Sequence, residues 1–367
     1  MNSFNERILN ILKIASSNLQ KKNPRQKSRH WKIYNYKTYN LHNLENFRNL
    51  NGLSYGLEDQ NETLIFKLYS RIIEELSEEY VLKNLSKNNI GNSLSLIKYK
   101  NVYVDYNKLI HIHWLGDLEK NVLNQNIKNF CEIGGGFGSL AELIIKNHNI
   151  KLLSIDLPEA NFMTSYYLSQ NFPAKKFYLY DNYLEKKILS YEDFLKNDII
   201  ILPPETKIDE KIKIDFFINT RSMMEMNFDI IKKYFDFIHN YISDNGYFLN
   251  INRYEKTSTG EKIRISDYPY DKNWDVLSSK KSFNQDWTHF LITKRKFSNY
   301  NNNIKDELTR IRKIGEKYYN LYIDDLPNYL ALKKIVKKVL KITFGIKVLN
   351  YFGKHLRNIG NKLLNIK

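Results

Sequence analysis

The sequence has little of what defines a secreted or membrane-spanning protein. It holds a single cysteine, Cys131, among 367 residues, so no internal disulfide can form and a reducing compartment is expected. No apolar run reaches the roughly 18–20 residues that a transmembrane helix needs. Residues 1–20 mix Asn, Glu, Arg and Lys into their apolar positions, unlike a secretory signal. We therefore expect a cytoplasmic protein that does not cross a membrane.

Acidic residues are absent from two segments near the ends of the chain. Residues 21–32 contain six Lys or Arg, residues 326–367 contain ten, and neither segment contains Asp or Glu. Together they hold +16 of the net charge of +17, so the remainder is close to neutral. Residues 331–342 place apolar side chains on one helical face and lysines on the other. This pattern predicts a helix lying on the inner face of the cytoplasmic membrane, a helix covering an apolar groove of its own domain, or an RNA-binding tail.

The pattern of apolar residues changes near residue 126. A hydrophobic content of 42% excludes wholesale disorder, and residues 1–125 show helical periodicity, as over 62–85. From residue 127, short apolar runs alternate with helical segments, which is typical of βαβ units and a parallel sheet. We predict a helical N-terminal region or lid over 1–125, a Rossmann-like domain over 126–297 and a helical basic extension over 298–367.

The predicted elements of the middle region alternate between strand and helix. The strands cover residues 127–133, 151–156, 198–202, 214–219 and 246–252, followed by a hairpin near 274–278 and 287–294. The helices include residues 139–146, 158–170 and 228–241. A further strand at 177–180 stays open.

A glycine-rich turn joins the first predicted strand to its helix. Gly134, Gly136 and Gly138 follow the spacing G-x-G-x-G, and glycines there allow a tight turn and close approach of a ligand to the backbone. The dinucleotide fingerprint G-x-G-x-x-G would need a glycine where this chain has Ser139. A nicotinamide-dependent dehydrogenase is therefore disfavoured.

Two carboxylates flank this turn. Glu132 lies two residues before the first glycine, where it suits a ligand that is cationic at an amino-acid end and at a sulfonium. Asp156 ends the next predicted strand, 18 residues beyond Gly138, where a carboxylate can accept both hydroxyls of a ribose. The combination predicts S-adenosylmethionine as the ligand.

Four segments around these residues resemble a bacterial family of sugar O-methyltransferases. They are FCEIGGGFGSLAELI, SIDLPEAN, DFFINTRSMMEM and GYFLNINRYEK, and the resemblance covers roughly residues 100–295. It implies a class I methyltransferase fold, with a mostly parallel seven-stranded sheet and a C-terminal antiparallel hairpin. It also implies S-adenosylmethionine as donor and a sugar hydroxyl as acceptor, in a surface-glycan, glycolipid or nucleotide-sugar intermediate. The resemblance places Asn219 and Glu225 among the characteristic positions of this family, and we take Asn219 as a candidate cofactor-binding residue.

The acceptor atom is predicted to be oxygen. Enzymes that methylate amino groups of nucleic acid carry Asn or Asp, then Pro-Pro and an aromatic, after the fourth strand, whereas this chain has Asn-Thr-Arg-Ser at 219–222. Transfer to a hydroxyl needs a group that removes its proton. We consider Glu225, His113 and His111 for this role. An extended segment over 109–114 would put both histidines on one face, whereas a helix or turn would leave them as surface residues, and Glu225 could equally cap a helix.

Several residues are candidates for binding the acceptor. Arg253, after the fifth strand, could hold an anionic sugar, and Trp287 and His289 of the hairpin could line the acceptor pocket, as could Trp114 and Trp274. A divalent metal is possible, with oxygen ligands from Glu225, Asp181 and Asp215, but no spacing is specific for metal and none is predicted.

Three rival interpretations remain open. An RNA methyltransferase would use the basic ends to bind phosphate, although nucleic acid is the less favoured partner. A small-molecule O-methyltransferase would act on a non-sugar acceptor, and a non-catalytic scaffold would keep only the fold. The sequence does not define the oligomeric state.

Overall fold

Helices dominate the N-terminal part of the computed structural model, which describes residues 2–22, 31, 40–49, 62–296 and 304–319. The elements in this part are α1 (Asn2–Lys22), α2 (Leu41–Glu45), α3 (Glu62–Leu76), α4 (Glu78–Asn84), a hairpin of β1 (Ile97–Tyr99) and β2 (Val102–Val104), and α5 (Tyr106–Leu118). The helical prediction over 62–85 is confirmed. Ser77 separates the two helices and caps α4 by accepting a hydrogen bond from the Tyr80 backbone N–H.

Helix α5 decides between the two conformations considered for residues 109–114, which are helical rather than extended. Asp105 caps the helix by accepting a hydrogen bond from the Lys108 backbone N–H at 3.0 Å. The helix contacts both α3 and α6 (Ser139–His148) and is buried on nearly all sides. A helix buried in this way shows no polar stripe, so its short apolar run looks like a strand in the sequence.

A central sheet of eight strands follows. Its strands are β3 (Asn129–Ile133), β4 (Lys151–Ile155), β5 (Phe177–Tyr178), β6 (Ile199–Leu202), β7 (Ile214–Thr220), β8 (Ile242–Arg253), β9 (Trp274–Ser282) and β10 (Gln285–Arg295). Their spatial order is β5-β6-β4-β3-β7-β8-β10-β9. The strands from β5 to β8 pair in parallel, and β10 is antiparallel to both β8 and β9.

This order confirms the Rossmann-like class I methyltransferase fold with its C-terminal antiparallel hairpin. Every predicted strand is present, and the two-residue strand β5 at one edge raises the number from seven to eight. The inner strands are mostly apolar because helices cover both faces of a parallel sheet. Strand β6 is the clearest example, since all four of its residues are apolar and buried.

Helices connect the parallel strands. Besides α6, they are α7 (Pro158–Asn171), α8 (Tyr180–Lys186), α9 (Tyr191–Lys196) and α10 (Phe228–Tyr241), and α11 (Ile304–Gly315) follows the hairpin. Pro158 occupies the start of α7, where its fixed φ favours a helix. In the sheet, β4 lies on one side of β3 and β7 lies on the other, so the chain first extends the sheet in one direction and then in the opposite one. This switch of direction opens a crevice at the carboxyl ends of β3, β4 and β7, where ligands of open α/β sheets bind.

The two basic segments fall almost entirely outside the described residues. Residues 1–318 form one compact unit and residues 319–367 a second. The predicted basic helix over 331–342 and the rest of the tail from 326 lie outside the described part, as do residues 23–30 and 32 of the N-terminal segment. Among the helices that the structure describes, none combines the length and apolar character needed to span a membrane.

Candidate functional site

The turn after β3 is built so that only glycine fits at two positions. Gly134 and Gly136 have φ values of 69° and 65°, in the left-handed region that side chains disfavour. A β-carbon on Gly134 would also overlap Ser222 Oγ. A β-carbon on Gly136 would meet no protein atom within 4 Å, because this glycine faces an open cleft. The predicted close approach of a ligand to the backbone is therefore possible at Gly136.

Gly138 has a different role from the one that we predicted. It lies at the N-terminus of α6, its N–H donates to Gly135 O at 3.2 Å, and it does not line the cleft. A β-carbon there would come within 3.1 Å of Thr164 on α7. Gly138 thus permits close packing of the turn against α7 and does not contact a ligand.

Asp156 follows β4 directly and lies in the cleft beside the glycine turn, as predicted. Its Oδ2 accepts a hydrogen bond from Gly136 N–H at 3.0 Å, and its Oδ1 accepts one from Leu157 N–H at 2.7 Å. Burial raises the pKa of Asp156 to about 7, although these two hydrogen bonds act in the opposite direction. A carboxylate oxygen accepts more than one hydrogen bond, so both oxygens retain capacity for ligand hydroxyls.

Glu132 lies behind the glycine turn rather than in the cleft. It is 1% exposed, and neither carboxyl oxygen has a hydrogen-bond partner among the described residues. A β-carbon on Gly135 would overlap this carboxyl group. Burial raises the pKa of Glu132 to about 8, and the charge of Asp156 contributes in the same direction. The side chain is therefore an uncompensated buried acid directly under the turn.

Asn219, which we predicted as a cofactor ligand, does not line the cleft. Its side chain is fully buried, and Nδ2 donates to Ile133 O at 2.8 Å and to Ser222 Oγ at 2.6 Å. Its Oδ1 accepts from Met223 N–H at 3.2 Å and from Asn252 Nδ2 at 2.8 Å. All hydrogen-bonding capacity of the amide is used inside the protein. Asn219 thus ties the ends of β3, β7 and β8 together beneath the cleft.

The cleft itself has a volume of about 110 Å³. Its wall includes Gly136, Asp156, Met163, Arg221, Glu225 and Trp31. Asp156 and the apolar start of α7 form one side, and the segment after β7 forms the other. Trp31 belongs to the N-terminal region. The sequence predictions missed both Trp31 and Arg221, although Arg221 lies in the 219–222 segment at the carboxyl end of β7.

Glu225 and Arg221 are the charged residues on the β7 side. Glu225 Oε1 accepts a hydrogen bond from Lys256 Nζ at 2.7 Å. Arg221 has a φ of 62°, and its N–H donates to Ile251 O at 2.6 Å. The Arg221 guanidinium makes no hydrogen bond or ion pair with a residue that the structure describes. Burial lowers the pKa of Arg221, and Arg253 acts in the same direction, while Glu225 opposes both.

The two histidines proposed as bases lie outside the cleft. His113 Nε2 is 2.9 Å from Glu75 Oε2, and its ring stacks on Phe283 with centroids 3.8 Å apart. His111 Nδ1 is 3.0 Å from Ser139 Oγ, and burial lowers its pKa to about 3. A base with so low a pKa is ineffective near neutral pH. Neither histidine lines the cleft, so their position does not support the predicted catalytic role.

The hairpin residues are also more buried than predicted. His289 is fully buried between Tyr254 Oη at 3.0 Å and Ser279 Oγ at 2.7 Å, and burial lowers its pKa to about 4. His289 is thus structural rather than a substrate contact. Trp114 and Trp274 are fully buried in the core, and Trp287 is partly buried outside the cleft.

Two of the oxygen ligands considered for a metal are engaged elsewhere. Asp181 Oδ2 accepts from Arg7 Nε at 2.5 Å, and Asp215 Oδ2 accepts from Lys128 N–H at 2.9 Å. In the described ranges, no three His, Cys, Asp or Glu side chains converge on a possible metal position. Arg253 ends β8 close enough to Arg221 for the two charges to repel each other.

No family model and no curated protein sequence matches the chain. Three similar solved structures are the pyocyanin biosynthetic protein PhzM, the N-methyltransferase NodS from Bradyrhizobium japonicum WM9 and the mitomycin 7-O-methyltransferase MmcR. The identities are 10%, 11% and 12%, and the TM-scores 0.34, 0.35 and 0.35. The matches cover 52%, 63% and 67% of this chain and 56%, 99% and 76% of the respective partner. The chain thus spans little more than half of PhzM. These values are too low to transfer a function, which has to be inferred from the residues of the cleft.

Proposed function

We propose that this chain is an S-adenosylmethionine-dependent O-methyltransferase that acts on a sugar hydroxyl of a surface-glycan, glycolipid or nucleotide-sugar intermediate. The observation that carries the proposal is the position of Asp156. Its carboxyl group is fixed by Gly136 N–H and Leu157 N–H at the wall of a glycine-lined cleft, at the switch point of the sheet. A vicinal diol is the ligand group that such a carboxylate accepts best.

The cleft fits the parts of S-adenosylmethionine. Asp156 would hold the ribose, and the apolar residues Ala160 and Met163 beside it suit an adenine ring. Gly136 leaves room for the amino-acid end near the backbone. When bound, S-adenosylmethionine supplies a methyl group activated by its sulfonium charge.

The buried acids favour a cationic ligand. Glu132 and Asp156 lie on the two sides of the glycine turn and have raised pKa values. A positive charge in the cleft stabilises their ionised forms and so offsets the cost of burying them. An anionic pyrophosphate would instead add like charge to this region.

The segment after β7 would receive the acceptor. Of the three residues considered as a base, Glu225 is the one that lines the cleft, and its hydrogen bond to Lys256 fixes its position there. In the proposed reaction Glu225 would take the proton of the acceptor hydroxyl while that oxygen bonds to the methyl carbon and the carbon–sulfur bond breaks, which would leave S-adenosylhomocysteine.

Two features support a saccharide acceptor. The segments quoted above resemble those of sugar O-methyltransferases, and Trp31 provides an aromatic wall on which a sugar ring can pack. The basic amphipathic pattern over 331–342 further supports a location at the inner face of the cytoplasmic membrane, where the lysines would contact anionic lipids. A non-sugar small molecule is the alternative acceptor.

The proposed binding of the methyl donor is tested by isothermal titration of the purified full-length chain with its demethylated product, S-adenosylhomocysteine. We expect the wild type to bind and the affinity to fall by at least about tenfold in Asp156→Asn. This substitution keeps the shape of the side chain but replaces one accepting oxygen by a donor and removes the charge. Asp306→Asn on the exposed surface of α11 is the matched control and should bind as the wild type does.

The proposed sugar acceptor is tested by mass spectrometry of surface glycans from cells with and without the gene. A missing methyl ether supports the proposal, and unchanged glycans together with retained donor binding favour a non-sugar acceptor.

A further inference from the structure

Arg221 is a cation in the wall of the cleft. Its guanidinium makes no hydrogen bond or ion pair with a residue that the structure describes. Glu225, whose charge acts on Arg221, is paired with Lys256 at 2.7 Å, and Glu255 is paired with Arg264 at 2.8 Å. Each of these two carboxylates therefore already interacts with another cation.

The backbone holds Arg221 in an unfavourable conformation. Its φ of 62° is in the left-handed region, which a long side chain rarely adopts. A hydrogen bond of 2.6 Å from its N–H to Ile251 O fixes this conformation at the end of β7. In this conformation the Arg221 side chain lines the cleft.

The electrostatic surroundings of Arg221 favour a bound anion. Burial removes the guanidinium from water, and Arg253 repels it, so both lower its pKa. An anionic group in the cleft would oppose this lowering of the pKa and stabilise the charged guanidinium, because a guanidinium binds carboxylate or phosphate through paired N–H donors.

Trp31 lines the same cleft as Arg221 and gives it an aromatic wall on which the ring of a sugar can pack.

We propose that Arg221 binds a carboxylate or phosphate group of the acceptor, so that the substrate is an acidic saccharide rather than a neutral one. This inference rests on the proposed function and narrows its substrate class. The anionic group is either the carboxylate of a uronic acid or the phosphate of a phosphorylated or nucleotide-linked sugar. Arg221 acts as a specificity residue and takes no part in proton transfer.

The test compares full-length wild type, Arg221→Gln, Arg221→Lys and the matched surface control Arg312→Gln. The first measurement is the affinity for S-adenosylhomocysteine by isothermal titration, which we expect to agree within about twofold among all four proteins. The second is transfer of label from methyl-labelled S-adenosylmethionine to glycans extracted from cells that lack the gene, separated by anion exchange into neutral and acidic pools.

We expect the wild type to label the acidic pool. In Arg221→Gln the rate of label transfer to this pool should fall by at least about tenfold because KM is raised, and Arg221→Lys should recover part of that rate. Phosphatase treatment and chemical reduction of carboxyl groups then distinguish phosphate from uronate. Label confined to the neutral pool, or no label in either pool despite donor binding, would overturn the inference. A loss of donor affinity in Arg221→Gln equal to the loss of transfer would assign Arg221 to the carboxylate of the donor instead. Failure of the wild type to bind the donor would overturn the proposed function itself.

Discussion

Glu132 and Asp156 place their carboxyl groups on opposite sides of one glycine turn, and the charge of Asp156 raises the pKa of Glu132. Asp156 lies on the cleft side, where Gly136 N–H donates to it, whereas Glu132 is buried beneath Gly135. Because both pKa values lie near neutrality, at about 7 and about 8, the charge of this region responds to pH and to a ligand in the same range.

The affinity for S-adenosylmethionine is expected to rise with pH between about pH 6 and 9. A cationic ligand stabilises the ionised acids, so binding at pH 7 should release protons. Titration calorimetry in two buffers with different ionisation enthalpies measures this release. Asp156→Asn should reduce it, and an affinity that is constant or falls over this range would contradict the assignment of the cationic ligand.

The ligand-free protein is expected to lose stability as pH rises through the same range. Glu132 has a folded-state pKa of about 8 against a normal value of 4.5, so its contribution is complete below about pH 4.5 and is lost as pH approaches and passes 8. Glu132→Gln should therefore raise the free energy of unfolding at pH 9 by about 1–3 kcal/mol relative to wild type, with little change at pH 5. Urea unfolding at both pH values checks this difference. An equal effect at the two pH values would show that Glu132 does not titrate in this range.

Two glycine substitutions should separate folding from binding. Gly136→Ala places a methyl group in the cleft without a clash, so we expect a cost of about 1–2 kcal/mol from its φ of 65° and a loss of donor binding of at least about tenfold. Gly134→Ala adds the overlap with Ser222 and should cost more stability than Gly136→Ala. Urea unfolding and calorimetry give the two quantities. Normal donor binding by folded Gly136→Ala would place the ligand elsewhere.

Replacement of Glu225 by Gln should lower the rate of methyl transfer by about 10²-fold or more, with little change in donor affinity. His113→Gln is the comparison, because His113 lies outside the cleft against Glu75 and Phe283. It should reduce stability while leaving transfer close to wild type. A small effect of Glu225→Gln on the rate would show that another group accepts the proton.

Local signals in the sequence were sufficient to predict the sheet and to place Gly134, Gly136 and Asp156 at the cleft. Apolar runs bounded by turns located β3, β4, β6, β7 and β8 within a few residues, because a strand buried on both faces is mostly apolar. The glycine spacing and Asp156 are local in the same sense, since their positions follow from the ends of two neighbouring strands.

The remaining walls of the cleft could not be predicted, because they depend on tertiary contacts between residues distant in sequence, and local patterns do not contain that information. Helix α5 was open to an extended interpretation because its burial between α3 and α6 removes the polar face that marks a helix. His289 and Asn219 looked functional by position, yet their partners Tyr254 and Asn252 come from distant parts of the chain. Trp31 was missed for the same reason, since 103 residues separate it from Gly134 in sequence.

The amides beneath the cleft have a consequence for the thermodynamics of binding. Asn219 bonds to Asn252, Asn252 to Asn250, and Asn250 to Tyr270, and all three asparagines are fully buried. This chain of hydrogen bonds holds three strand ends rigid before any ligand arrives. Because these residues are already ordered, the base of the cleft loses little conformational entropy when a ligand binds. The conformational entropy lost on binding therefore comes mainly from side chains of the cleft wall, such as Trp31 and Arg221.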